Sequence, residues 1–188
     1  MIKKIVIIGA STGGPSHIQS IISDFDVFNN AVVLIAQHIG AEYIPSFVSQ
    51  LQNKSQMQVH PVSKDTSLKE GNMYVLSGLC QLVQTRNDTL MIKHVHSSST
   101  YNPDINYIFH SVASLCHQYK VLSLLLTGIG DDGAKGSKEI YVKGGACIAE
   151  SEKSAVIYGM PRRAKELNPK IEVMHLHDMS KKIKDFVS

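Results

Sequence analysis

Cysteine is scarce in this chain of 188 residues: Cys80, Cys116 and Cys147 are its three, and no CxxC spacing occurs among them. Neither a disulfide framework nor a zinc knuckle is indicated, and reduced thiols in the cytoplasm fit the pattern better. Long apolar runs are missing too. The opening "MIKKIVIIGAS" sets two lysines before an apolar stretch, as a secretory signal does, yet the apolar run before Gly9 is only four residues long. That is too short for a signal's hydrophobic region and reads as a strand. No run approaches the ~18 apolar residues of a membrane span, so no direct membrane insertion and a cytoplasmic location are expected.

Charge of one sign is also lacking. The formal net charge is +3, and the Lys and Arg residues are scattered instead of forming a stripe. No nucleic-acid partner is expected from such a distribution. Internal repeats, low-complexity tracts and a Pro-rich linker are absent, and the polar loops at 64–71 and 96–103 separate no self-sufficient cores. One domain is expected over 1–188.

What is present is an alternation of short apolar runs with amphipathic stretches. Residues 5–8, 32–36, 121–126 and 146–149 read as strands buried on both faces, being continuous and rich in Val, Ile and Leu. Between them, 16–25, 43–52, 105–117, 134–142 and 155–166 read as helices, and a last helix follows a strand end with Asp178 as its expected cap. The alternating runs "NMYVL" and "CQLVQTRNDTLMIKHV" differ, with a hairpin signal at Asn87–Asp88. The fold class expected is α/β: a doubly wound, mostly parallel sheet with helices on both faces and an antiparallel hairpin at one edge.

In such a sheet, ligands bind outside the carboxyl ends of the strands. Ser11 follows the first strand, His38 follows "VVLIAQ", and Asp131 and Asp132 follow "SLLLTGIG". A serine, a histidine and a carboxylate are the parts of an acyl-transfer triad: nucleophile, general base and orienting acid. An imidazole near its unperturbed pKa of ~6.5 exchanges protons around neutral pH. Gly13, Gly14 and Pro15 follow Ser11, and proline suits a first helical turn, so the hydroxyl is expected at a helix amino end. An N–H there, that of Thr12 for example, is a candidate oxyanion donor; losing one such donor costs roughly 3–4 kcal/mol of transition-state stabilisation.

Plainer readings stand beside this one. "GASTG" at 9–13 fits the G-x-S-x-G elbow, but the order here is serine, histidine, acid, whereas α/β-hydrolases run serine, acid, histidine. A phosphate cradle at 9–15 lacks both the Walker lysine and the G-x-G-x-x-G pattern. His38 reads equally as a strand-end residue, and "GDDG" as a turn. Residue types alone do not choose between Asp131 and Asp132. "HVH" at His94 and His96 and "HLH" at His175 and His177 pair imidazoles on one face, with no nearby third ligand, so no metal site is assigned. Met73, Met91, Met160 and Met174 read as filler.

The stretches "IGASTGGP", Gln37-His38, "PDINYIFHSVA", "LLTGIGDDGAKG", Gly144-Gly145 and "AESEKSAVIYGMP" together resemble the catalytic domain of the chemotaxis protein-glutamate methylesterases (CheB-type), from residue 3 to about 180. The resemblance implies hydrolysis of glutamate γ-methyl esters on the cytoplasmic helices of methylated chemoreceptors, with glutamine deamidation in many members and no cofactor. Carried over by motif, Ser11 is the nucleophile, His38 the base and Asp132 the acid, with Thr12, Gly13 and Ile129 as oxyanion or supporting residues. Departures are Ile129 where methionine is usual, Asp131 for asparagine, Asn106 for aspartate, and Gly40 for the proline that usually follows the histidine by two. Family members often carry an amino-terminal receiver domain, and the reading here is of a catalytic domain with no receiver domain in this chain. The rival readings are a catalytically degenerate receptor-binding module and a nucleotide-binding protein.

Overall fold

The structure is a computed structural model that describes residues 1–97 and 99–188. Ser98, inside the polar loop expected at 96–103, lies outside the described residues. Among the described residues, ten strands and six α-helices follow in chain order: β1 Lys4–Ala10, α1 Gly14–Ile22, β2 Ala31–Gln37, α2 Ile44–Gln52, β3 Gln58–Val62, β4 Thr66–Ser67, β5 Asn72–Leu76, β6 Cys80–Gln84, β7 Leu90–His94, α3 Ile105–Ala113, β8 Lys120–Leu125, α4 Ala134–Val142, β9 Ala146–Glu150, α5 Met160–Leu167, β10 Glu172–Met174 and α6 Leu176–Val187.

Seven strands make one sheet in the order β10-β9-β8-β1-β2-β5-β3, and every pairing in it is parallel. Its centre is β1 and β2, in register from Lys4 opposite Ala31 to Ala10 opposite Gln37. Both read as uninterrupted apolar runs because both of their faces are covered. The period of two then sorts them into layers. Ile5, Ile7, Val32 and Leu34 pack with Phe109 of α3, Ile140 of α4 and Ala164 of α5. Val6, Ile8, Val33 and Ile35 pack on the opposite face with Ile18 of α1, Phe47 and Leu51 of α2, and Ile183 of α6. Helices therefore cover both faces, as the alternation of elements implies.

The hairpin β6–β7 turns at 85–89, where the sequence places it, with Asp88 at φ 56. It belongs to a separate antiparallel sheet of order β4-β7-β6. That sheet lies on the α3 side of the main one: Leu82, Leu90 and Ile92 share its core, and the Leu82 N–H donates to Ser111 Oγ at 2.9 Å. "NMYVL" is β5, a buried parallel strand of the main sheet.

Other departures are local. The helix expected at 155–166 begins at Met160, because residues before it run alongside the end of β8 instead. Gly128 N donates to Ile157 O at 3.0 Å, and Gly128 bridges Tyr158. Pro161 then occupies the first turn of α5, where its missing N–H costs nothing. The segment expected at 43–52 splits into a 3-10 turn, Ala41–Tyr43, and α2. The helix expected at 105–117 ends at Ala113. α6 is capped by His175, whose side chain accepts from the His177 N–H, and Asp178 sits in its first turn. β3 carries Pro61, which is tolerated because β3 is the edge strand of the sheet. Among the described residues no helix is long and apolar enough to cross a membrane.

The chain leaves β1 toward β2 on one side and returns on the other side in β8. α1, which follows β1, covers one face, and α4, which follows β8, covers the other. The carboxyl ends of β1 and β8 are therefore the switch point, where doubly wound sheets form a crevice for ligands.

Candidate active site

Ser11 emerges from β1 at this crevice, half-buried. Its N–H donates to Thr127 O at 2.9 Å, which ties the turn to the end of β8. Gly13 sits at φ 86 as the residue capping α1, a backbone that excludes most side chains, and a Cβ there would meet Val156 Cγ2 at 2.7 Å. This left-handed step lets the chain turn from strand into helix directly after the serine. Pro15 lies in the first turn of α1. Among the described residues, the Thr12 and Gly13 N–H groups take no backbone acceptor, as helix entry leaves them. Thr12 is exposed, and its carbonyl accepts from Thr127 Oγ1 at 2.9 Å.

His38 follows β2, and its N–H donates to Ala10 O at 2.9 Å, so the serine and histidine leave neighbouring strands side by side. Gln37 strengthens this juncture. Its buried Nε2 donates to Ser11 O at 2.9 Å and to His38 O at 3.0 Å, bridging the two strand ends with one amide. Gly14 packs against Gln37 Oε1 so closely that a side chain there would collide with it.

His38 Nε2 lies 2.7 Å from Asp132 Oδ2, and Asp132 is fully buried. The carboxylate is held on every side. Oδ2 also accepts the Ile105 N–H at 2.9 Å, while Oδ1 accepts the Asn106 N–H at 2.8 Å and the Gly133 N–H at 2.9 Å. These donors stand at the amino ends of α3 and α4, where helix dipoles favour negative charge. Four bonds fill the four acceptor positions of the group. Asp131, its neighbour, is exposed, so burial and partners separate two residues that the sequence leaves equivalent. Because Nε2 faces the carboxylate, Nδ1 is the ring nitrogen left for another partner. The Ser11 hydroxyl makes no hydrogen bond to another described residue, a common state of such groups before substrate arrives.

Ile129 is 64% exposed and Val156 is 61% exposed, and both stand on the rim of this crevice. The 128–130 turn is drawn tightly against Ser11: a Cβ on Gly128 would come 2.7 Å from Ser11 Cβ and would overlap Met160 Sδ. Ile129 is thus on the loop beside the serine, with its side chain directed into solvent.

Tyr101, Gln37, Thr127 and Gly128 are absent from the residues the sequence singles out by role, although Gln37 falls within a motif quoted there. Tyr101 covers the His38 ring, stacked at a centroid distance of 5.0 Å. It arrives from a loop with no periodicity, so no sequence signal points to it. No group of three or more His, Cys, Asp or Glu side chains is placed to hold a metal among the described residues. His175 Nδ1 and His177 Nδ1 stand 2.6 Å apart on the surface, and His94 is held by its N–H to Asp65 Oδ1 at 2.9 Å. The cysteines offer no rival nucleophile, since burial pushes the Cys80 thiol up to about 12 and that of Cys147 up to about 11.

Comparison with known proteins follows the same outline. A family model described as CheB methylesterase matches residues 6–183. A protein-glutamate methylesterase/protein-glutamine glutaminase 2 of Carboxydothermus hydrogenoformans is 34% identical over 98% of the chain, which covers 54% of that relative. A protein-glutamate methylesterase/protein-glutamine glutaminase of Bacillus subtilis is 31% identical over 96% of the chain and 52% of its own length. The chain thus spans about half the length of the curated relatives it matches. The crystal structure of the Thermotoga maritima CheB methylesterase catalytic domain superposes with a TM-score of 0.88 at 25% identity, covering 98% of this chain and 99% of that one. With the fold, the motifs and these relatives in agreement, the chain belongs to the CheB methylesterase family.

Proposed function

We propose that the protein hydrolyses γ-methyl esters of glutamate side chains on the cytoplasmic helices of methylated chemoreceptors, acting in the cytoplasm in chemotaxis adaptation, with Ser11, His38 and Asp132 as its triad. The observation that carries this reading is the His38–Asp132 contact at 2.7 Å, with His38 tied by its backbone to the strand end that delivers Ser11.

His38 Nδ1 takes the Ser11 proton as Oγ attacks the ester carbonyl carbon. The carbonyl oxygen becomes an oxyanion, received by free N–H groups of the 12–13 turn. Asp132 holds the imidazole in the tautomer that leaves Nδ1 basic, and stabilises the imidazolium once the proton has moved. That proton passes to the methoxide oxygen, the carbon–oxygen bond breaks, and methanol departs, leaving a glutamyl ester on Ser11. Water then repeats the sequence: His38 removes its proton, hydroxide adds to the acyl carbon, and Ser11 Oγ leaves with the proton. The products are a free glutamate carboxylate and regenerated enzyme. An amide substrate follows the same path with ammonia leaving, which supports glutamine deamidation as the companion activity. No step calls for a metal or cofactor.

The rim formed by Thr12, Ile129 and Val156 is open and partly apolar, a shape suited to a side chain presented on a helical bundle. The test is methanol release from methyl-labelled receptor by wild type and by Ser11→Ala. Release that disappears in the variant supports the proposal. Full release by Ser11→Ala overturns it, and receptor capture by wild type without methanol favours a binding module.

A further inference from the structure

Behind the Ser11 turn lies a second imidazole–carboxylate pair that the mechanism above leaves unused. Glu150, the last residue of β9, is fully buried, and His17 of α1 is 9% exposed. His17 Nδ1 lies 3.1 Å from Glu150 Oε1 and 3.2 Å from Oε2. Oε2 also accepts the Thr127 N–H at 2.8 Å. A carboxylate without exposure is retained only where such donors offset its lost hydration.

Its position explains why a side chain is needed there. The β8–β9 ladder ends at Leu125 opposite Ala149, so backbone carbonyls of β9 no longer serve Thr127. The Glu150 carboxylate supplies the next acceptor past the end of the ladder. Thr127 in turn is committed to the crevice. Its carbonyl accepts the Ser11 N–H at 2.9 Å, and its hydroxyl donates to Thr12 O at 2.9 Å and accepts the Ile157 N–H at 2.9 Å. One residue thus joins the buried pair to the serine turn and to the segment at Ile157.

We propose that Glu150, backed by His17, is a positioning residue for Ser11, acting through Thr127. The proposal rests on the reading of Ser11 as the nucleophile. Releasing the Thr127 N–H lets the end of β8 shift, and with it the turn that aims Oγ and the oxyanion donors. Displacements of that kind near 1 Å cost about 100-fold in rate.

The experiment measures phosphonylation of Ser11 by a fluorophosphonate probe, separating kinact from KI, with thermal melting recorded in parallel. Glu150→Leu lowers kinact about 10- to 100-fold per folded molecule while KI changes little. Glu150→Gln, which offers its carbonyl to Thr127 and its amide N–H to His17 Nδ1, recovers most of that loss. A pair with a structural role alone lowers the melting temperature and leaves kinact per folded molecule unmoved, which overturns the proposal. Should Glu150→Leu not fold, His17→Leu carries the test: it removes the imidazole that backs Glu150, and an unchanged kinact per folded molecule overturns the proposal. Wild type that is not labelled at Ser11 overturns the nucleophile reading and this proposal with it; equal labelling of wild type and Glu150→Leu overturns this proposal alone.

Discussion

Tyr101 lies parallel to the His38 imidazole, with ring planes 4° apart and centroids 5.0 Å apart. On the proposed mechanism an imidazolium formed at His38 meets the face of that ring, and such contacts contribute about 0.5–2 kcal/mol. The stack also fixes the ring plane that Asp132 holds by one edge. Replacing Tyr101 by Leu is expected to reduce kcat/KM about 2- to 30-fold, and Tyr101→Phe to retain it. An equal loss in both variants would assign the effect to the hydroxyl.

Asp132→Asn is expected to fail twice. The amide keeps one acceptor oxygen for the two N–H groups now at Oδ1, but its NH2 then faces the Ile105 N–H and the His38 ring nitrogen. On the proposed mechanism the imidazole is driven into the wrong tautomer, so kcat falls by about 10⁴-fold. The amino ends of α3 and α4 lose a shared anchor, so the melting temperature falls as well. Steady-state kinetics and calorimetry on the same preparation check both outcomes.

Gly13→Ala is expected to destabilise the protein by at least about 1–2 kcal/mol, because φ 86 is unfavourable for any L side chain. The added methyl also meets Val156 at 2.7 Å and pushes the rim outward. Gly144, with φ 91 and open space around it, provides the control. Gly144→Ala carries the same backbone cost without the collision and leaves kcat unchanged. Urea midpoints and turnover separate the two.

The buried thiols predict an alkaline loss of stability. Cys80 ionises at about 12 when folded, against an ordinary value of 9.0. A group raised in the folded state contributes fully below the unfolded pKa and loses that contribution as pH climbs toward the folded one. Stability therefore declines from about pH 9 toward 12, and burial of the Tyr74 phenol, also pushed up, acts in the same direction. The urea midpoint of Cys80→Ala is expected to fall less between about pH 8 and pH 10 than that of wild type.

Most of the frame was legible from residue types. The runs of β1, β2, β8 and β9 are long, apolar and β-branched, and their carboxyl ends place Ser11, His38 and Asp132 on one edge. Where reading stopped, a physical reason is visible. β3 carries Pro61 and polar residues because it lies at an edge, so its pattern is weak. The segment before Met160 has helical composition, yet hydrogen bonds with Thr127 and Gly128 hold it against the end of β8 instead. Tyr101 and Glu150 act through contacts across long sequence separations, and a one-dimensional pattern carries no trace of those.

Asp132 staples two helix starts together, whereas the Ser11 hydroxyl bonds to no described neighbour. The two residues are therefore exposed to different evolutionary pressures. On the proposed mechanism, a lineage that abandoned ester cleavage would still gain from the aspartate as an anchor of two helix starts, whereas the serine hydroxyl has no such second task. On the same reading, the residue at position 11 is the one that reports whether the chemistry is still in use.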